Sequence, residues 1–342
     1  MNFKTYEKEF RKVAENSGYS EQNIQKCLTY AEPLVSNKLP VIFNTANLAS
    51  LVGYNKVYIK RAAVYTKSYY REFNIKKSNG SMRKITEPLP SLKEIQIWIL
   101  ENILYKISIS PFAKAYIPNR GLIDNAKFHI GKGVLLTIDL EDFFPSIKLV
   151  HINKIFIDMG YSTLVSNLLA KLCCLEGQLP QGAPTSPYLS NIYFTPADVE
   201  ISNYCKEQEI RYTRYADDLS FSSDSLEVEK ITDIVTAAID KLDLSLNKDK
   251  TKVMTPDMRQ VVTGIVVNKK LQVPFYKRNK VRQELHYIKK FGFKNHVSHV
   301  GIKQKNYWQH LMGKINYILY LNPKDTEFIE YKRYLLSDEL KE

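Results

Sequence analysis

Two adjacent carboxylates, Asp217 and Asp218, stand between Tyr215-Ala216 and the run Leu219-Ser220-Phe221-Ser222. Ionised side by side they repel each other, so the charged form of both needs a cation nearby. A third carboxylate, Asp139, ends the apolar run Val134-Leu135-Leu136-Thr137-Ile138. An acid at the end of a buried strand is costly unless it has a task. A few hard oxygen ligands suit Mg²⁺, which keeps its remaining positions for water and substrate phosphate. Two such ions about 4 Å apart stabilise the attacking and leaving oxygens of an in-line phosphoryl transfer. That chemistry needs no histidine or cysteine nucleophile. A solvated turn also carries Asp-Asp pairs, and the dipeptide alone leaves both readings open.

For the three acids to meet, the strand ending in Asp139 must neighbour the two short strands expected over residues 211–222, with a tight turn between them. Short helices are expected over residues 1–45, one capped by Ser20 and closing near Pro33, then a basic helical stretch over 46–70. A hairpin carrying Arg71, Lys76, Lys77, Arg83 and Lys84 should turn at Ser78-Asn79-Gly80. Leu92, Ile95, Ile99 and Ile103 form a helical core stripe. Residues 150–175 read as helical. A Pro-, Gly- and Ser-rich loop follows at 177–187, a punctuation that favours function without excluding a plain connection. A helix over 226–243 follows the paired acids, and residues 244–254, 261–268 and 271–275 read as strands. The tail from 275 is helical, its stripe of Val281, Leu285 and Ile288 ringed by Lys277, Arg278, Lys280, Arg282, Lys289 and Lys290. This order suits a mixed α+β fold of two or three lobes.

Among 342 residues, 49 Lys+Arg against 36 Asp+Glu leave a net charge of +13. Such a surface suits a polyanion, nucleic acid before membrane, although a merely soluble basic surface has the same charge. Cys27, Cys173, Cys174 and Cys205 form no C-x-x-C pair, zinc spacing or disulfide framework, which fits a reducing cytoplasm. No run approaches the ~18 apolar residues of a membrane span, and no secretory leader is expected.

Four stretches in order, DLEDFFPSI from Asp139, LPQGAPTSPYLSN, YTRYADDLSFS and LNKDKTK, resemble the palm motifs of reverse transcriptases. NAKFH (Asn125 to His129) and VTG (Val262 to Gly264) bring the likeness closest to bacterial retron reverse transcriptases. The resemblance implies an α+β right-hand polymerase fold with fingers, an antiparallel palm sheet with helices, and a helical thumb. An N-terminal helical segment would span residues 1–45 and the fingers 46–134, with 150–195 contributing to fingers and palm. The palm would take 135–149 and 196–272, and the thumb 273–342. The implied enzyme is an RNA-directed DNA polymerase, a nucleotidyltransferase using deoxynucleoside triphosphates and two Mg²⁺ ions, with Mn²⁺ as a substitute.

By the same resemblance, Asp139, Asp217 and Asp218 are metal ligands, and the backbone of Leu140 reaches the metal or the triphosphate. Lys250 matches the lysine that protonates departing pyrophosphate, with a solvated turn lysine as the alternative. Arg83 and Lys84 match the triphosphate clamp. Phe144 matches the aromatic gate that rejects a ribose 2′-OH, while Phe143 reads as core. Gln181 and Gly182 would lie near the nascent base pair, glycine permitting a close backbone approach.

RNA contacts would fall to Asn125, His129, Val262, Thr263, Gly264, Lys277, Arg278 and Arg282, in a thumb that tracks a duplex by shape and backbone. Asn125 and His129 could equally be a structural hydrogen-bonded pair. The retron likeness further implies a cognate structured noncoding RNA, priming from the 2′-OH of an internal guanosine, and a branched multicopy single-stranded DNA product. It also implies antiphage defence with a separate effector protein and no role for a membrane. The stretch after residue 270 is too short for an RNase H domain, so a host RNase H would remove template. The rivals are another bacterial defence, group II intron-like or diversity-generating reverse transcriptase, or a polymerase fold kept as a non-catalytic RNA-binding scaffold. The intact acids argue against the scaffold.

Overall fold

Asparagine and serine caps open the first four helices. Asn2, Ser20, Asn44 and Asn55 each accept a backbone N–H of the turn that follows, starting α1 (Phe3–Asn16), α2 (Glu21–Ser36), α3 (Thr45–Val52) and α4 (Lys56–Val64). The computed structural model describes residues 2–76, 80, 82–299, 301 and 306–337. Its chain divides into one unit of residues 1–117, 140–204 and 232–247 and another of 118–139, 205–231 and 248–342.

In the first unit α2 continues through Pro33 instead of closing there. Proline removes a single N–H so near the helix end, and burial of Leu28, Ala31 and Leu34 outweighs it. The basic hairpin forms from β1 (Tyr70–Lys76) and β2 (Met82–Pro88), paired from Tyr70↔Pro88 to Lys76↔Met82. Apart from Gly80, its expected turn and Lys77 lie outside the described residues. α5 (Pro90–Asn102) buries Leu92, Ile95 and Ile99, as its periodicity predicts.

A short α6 (Leu122–Ala126) runs into a 3₁₀ turn, Lys127–His129, and then β3 (Val134–Leu140). After α7 (Phe143–Ser146), the helical segment expected at 150–175 is two helices, α8 (Leu149–Asp158) and α9 (Thr163–Cys173). Gly160 at φ +100° breaks them, and Ser162 caps the second. The long α10 (Ser186–Glu207) leads to β4 (Arg211–Tyr215), β5 (Asp218–Ser223), α11 (Val228–Asp240) and β6 (Leu246–Met254). β3 to β6 form one sheet in the order β4-β5-β3-β6, antiparallel where β5 meets β4 and β3.

Residues 261–268 shorten to a hairpin of β7 (Val261–Val262) and β8 (Ile265–Val266). Residues 271–275 are not a strand: Gln272 bridges Val266, and Pro274, lacking an N–H for a ladder, becomes the N-cap of α12 (Phe275–Phe291). Then come α13 (Phe293–His299), α14 (Tyr307–Leu321) and α15 (Thr326–Leu336). Val262, Ile265, Val281, Leu285, Ile288, Leu311, Ile315 and Phe328 form the apolar core of the second unit. Among the described residues, no helix is long and apolar enough to cross a membrane.

One member of the basic ring on α12 turns inward. Arg278 is 7% exposed, stacks over Phe328 and pairs with Asp325 at 2.7 Å and Glu327 at 3.4 Å. Arg282 grips the same Glu327 through Nε at 2.5 Å and Nη2 at 2.7 Å. Arg278 is therefore a core residue of these helices, its side chain closed to the RNA contact that its position on the sequence suggests. Arg278→Ala, which strands the buried Asp325, should cost about 3–5 kcal/mol. Lys277→Ala, at an exposed site, should stay within about 0.5 kcal/mol. Thermal or urea unfolding of the two variants checks the contrast.

Candidate active site

Apolar patterning sets the register of the acid cluster. Leu135, Leu136 and Ile138 on β3 and Leu219 and Phe221 on β5 are buried, and their pairing continues from Ile138↔Leu219 to Asp139↔Asp218. A one-residue slip would turn every one of these side chains to the opposite face. Directly opposed residues share a face, so the two carboxylates stand together. Asp217 and Ala216 make the two-residue turn between β4 and β5, with Ala216 at φ +61°, a region that favours glycine. The fully buried Arg214 donates from Nη1 to the Ala216 carbonyl at 3.1 Å and holds this turn.

Farther from the acids, His129 closes the hairpin. Its Nδ1 lies 2.7 Å from the Ser222 hydroxyl and its Nε2 2.7 Å from that of Thr213. Burial, and after it the charges of Asp217 and Asp139, push the Asp218 carboxyl up to about 7, while Lys252 and Lys250 pull the other way. Lys250 Nζ lies 2.7 Å from Asp139 Oδ1. Asp139, Asp218, Lys250, Lys252, Arg259, Thr263 and Gly264 share the lining of a cavity of about 480 Å³. Among the described residues, no three His, Cys, Asp or Glu side chains form a ready metal cage. The donor set nevertheless fits Mg²⁺: Asp139 and Asp218 offer carboxylate oxygens on one face of the sheet, the hard donors that ion prefers.

The other expected substrate residues lie in the first unit. Arg83 and Lys84 are exposed on β2, and Lys84 pairs with Glu72 at 2.8 Å. Gly182 has φ +133°, and a Cβ there would sit 2.6 Å from the Thr86 carbonyl oxygen. Thr86 N–H donates to Gln181 O at 3.0 Å. The glycine is thus required by the close approach of the loop to β2, a cause the sequence does not disclose. Phe144 is half-buried between Phe143 and Tyr116, its ring 6.4 Å from that of Tyr116. Phe143 is core, packed on Phe194. Leu140 ends β3 with its side chain buried, leaving only backbone for the expected contact.

Residues 75–299 match the family model for reverse transcriptase (RNA-dependent DNA polymerase). The chain belongs to the reverse transcriptases. It is 34% identical over 291 residues to Retron Ec86 reverse transcriptase of Escherichia coli, across 84% of this chain and 87% of that one. It is 28% identical over 335 residues to Retron Mx65 reverse transcriptase of Myxococcus xanthus, across 91% of this chain and 76% of the relative. It is accordingly a retron-type reverse transcriptase, an RNA-directed DNA polymerase. Among solved structures it resembles telomerase from Candida albicans, with a TM-score of 0.43 and 10% identity, covering 80% of this chain and 64% of that one.

Within this reverse transcriptase the first and last side chains of NAKFH face inward, while Lys127 and Phe128 are exposed. Asn125 and His129 are both fully buried, so neither presents its side chain to RNA at the surface, and they do not form the pair with each other that their spacing allows. Asn125 Nδ2 instead reaches Thr263 Oγ1 at 3.5 Å, joining NAKFH to VTG. Val262 is buried as well, leaving half-buried Thr263 and exposed Gly264 at the β7–β8 turn. The sequence reading missed Lys252 and Arg259; the strand period of two, counted on from Lys250, was the available signal for Lys252.

The raised Asp218 has a pH signature. Without divalent ions, the folded chain retains a proton between the ordinary value of 3.8 and about 7 that the unfolded chain has released. The stability this group confers is thus complete below about pH 4 and is lost as pH rises through about 7. Asp218→Asn should raise the Tm of the metal-free enzyme by a few degrees above pH 7, with the difference vanishing toward pH 4. Added Mg²⁺ should raise the Tm of the parent more than that of the variant in the same scanning calorimetry.

Proposed function

We propose that this reverse transcriptase copies a cognate structured noncoding RNA into multicopy single-stranded DNA, joined to the RNA through the 2′-OH of an internal guanosine. The observation that carries the reading is the shared cavity. The turn of the retron-like VTG segment stands in the same wall as Asp139 and Asp218, and NAKFH is joined to that turn from beneath. An RNA held at Thr263 and Gly264 would therefore lie beside the acids. Exposed Lys277 and half-buried Arg282 add charge along α12 for the duplex backbone.

Asp139, Asp217 and Asp218, with the backbone of Leu140, would hold two Mg²⁺ ions or Mn²⁺ in their stead. Bound there, the ions supply the positive charge that an in-line nucleotidyl transfer requires. Arg83 and Lys84 bind the triphosphate of the incoming deoxynucleotide through charge-assisted hydrogen bonds. Phe144 excludes a ribose 2′-OH, Gln181 and Gly182 border the nascent base pair, and Lys250 gives a proton to the departing pyrophosphate. In this reading residues 1–45 are an N-terminal helical segment and 46–134 the fingers, with 150–195 contributing to fingers and palm. Residues 135–149 and 196–272 are the palm, and 273–342 the thumb. In this reading the enzyme works in the cytoplasm, in antiphage defence with a separate effector protein, and a host RNase H removes template.

Replacing Asp217 and Asp218 together by Asn should reduce DNA synthesis on the order of 10³-fold or more while RNA affinity stays within about two-fold. Undiminished synthesis would refute the metal assignment. Nucleic acid co-purified with the enzyme, expressed with its native upstream region, should contain a short single-stranded DNA whose gel mobility shifts on treatment with debranching enzyme. Linear DNA alone would overturn 2′-OH priming.

A further inference from the structure

β6 lies beside β3 in the sheet, and strand alternation places Lys250, Lys252 and Met254 on one of its faces. All three line the cavity that holds Asp139 and Asp218. The Lys250 side chain is 59% exposed and its ammonium stands 2.7 Å from Asp139 Oδ1, on a carboxylate 20% exposed. The charges of Lys250 and Lys252 also reach Asp218. Three acids crowded at the ends of adjacent strands repel one another, so the chain without divalent ions needs cations of its own at this spot.

We propose that Lys250, backed by Lys252, is an internal counterion of the acid cluster, holding Asp139 until a divalent ion arrives and being driven off by it. The inference rests on the reading of Asp139, Asp217 and Asp218 as metal ligands. Its physical basis is competition for one oxygen. A divalent ion brings twice the charge to Asp139 Oδ1 and repels an ammonium beside it. An ion pair this exposed is weak, and its flexible stem lets the lysine leave at little cost. Release frees a cation at the wall of the cavity, where the phosphates of an incoming nucleotide would draw it further away. By reciprocity, a substrate anion that engages Lys250 tightens the metal site. The lysine thereby couples metal loading to substrate arrival, a task distinct from donating a proton.

Mn²⁺ binding to the full-length protein, read from the electron paramagnetic resonance of the free ion, tests this. Lys250→Met should tighten Mn²⁺ by about two- to five-fold, Lys252→Met should do so less, and Asp139→Asn should weaken it. No tightening in Lys250→Met, with Asp139→Asn still weakened, overturns the counterion while the metal ligands stand. Unchanged binding in Asp139→Asn removes the metal reading and the counterion with it. In the unmodified chain, Mg²⁺ should speed acetylation of Lys250 relative to Lys248, measured by mass spectrometry. An equal or slower rate with Mg²⁺ would overturn displacement.

Discussion

The repulsion between carboxylates facing each other across β3 and β5 is the constraint around which the second unit is arranged. Placing Asp139 directly opposite Asp218, with Asp217 one residue away, is unfavourable in a protein without bound ions. The buried residues of the two strands impose that register, because a slip would part Leu219 and Phe221 from Ile138 and Leu136, which share their face, and Ser222 from His129. Hydrophobic burial thus holds together charges that would otherwise separate. The resulting excess of negative potential draws a cation, and in this structure Lys250 answers it at 2.7 Å from Asp139.

Other features sustain this arrangement at both ends of the β4–β5 hairpin. At the turn, buried Arg214 secures a carbonyl whose residue, Ala216, sits in a backbone region better suited to glycine. Farther along, His129 satisfies both ring nitrogens on hydroxyls from the two strands. A buried polar group with its partners in place specifies one geometry, and losing a partner is expensive. Within NAKFH, Asn125 and His129 are therefore scaffolding for the β4–β5 hairpin and the VTG turn, while Lys127 and Phe128 stay exposed.

The helices of residues 275–336 show the same economy with charge. Their sequence is rich in lysine and arginine, yet Asp325 and Glu327 claim Arg278 and Arg282 for internal pairing. Exposed lysines such as Lys277, Lys280, Lys289 and Lys290 remain at the surface, where they suit a nucleic-acid backbone. A count of basic residues thus overstates the binding surface, and the fold decides which of them belong to it.

Much of the fold was legible because periodicity reports which face of an element is apolar. The core stripes of α5 and α12, the basic hairpin and the strand ending in Asp139 all followed from spacing, and the ordered motifs identified the polymerase chemistry. Periodicity says nothing about what covers a face or which distant residue answers a charge. Arg278 looks like its exposed neighbours until α15 brings Asp325 to it, and only the approach of β2 reveals that the place of a Cβ on Gly182 is taken by the Thr86 carbonyl. Asn125 and His129 looked like a pair one turn apart until the β4–β5 hairpin and the β7–β8 turn took their side chains separately. The sequence by itself determined the identities of the acids and the elements that carry them. Only the tertiary structure decided their register, their counterions and the burial of their supports, because those depend on contacts between residues far apart in the chain.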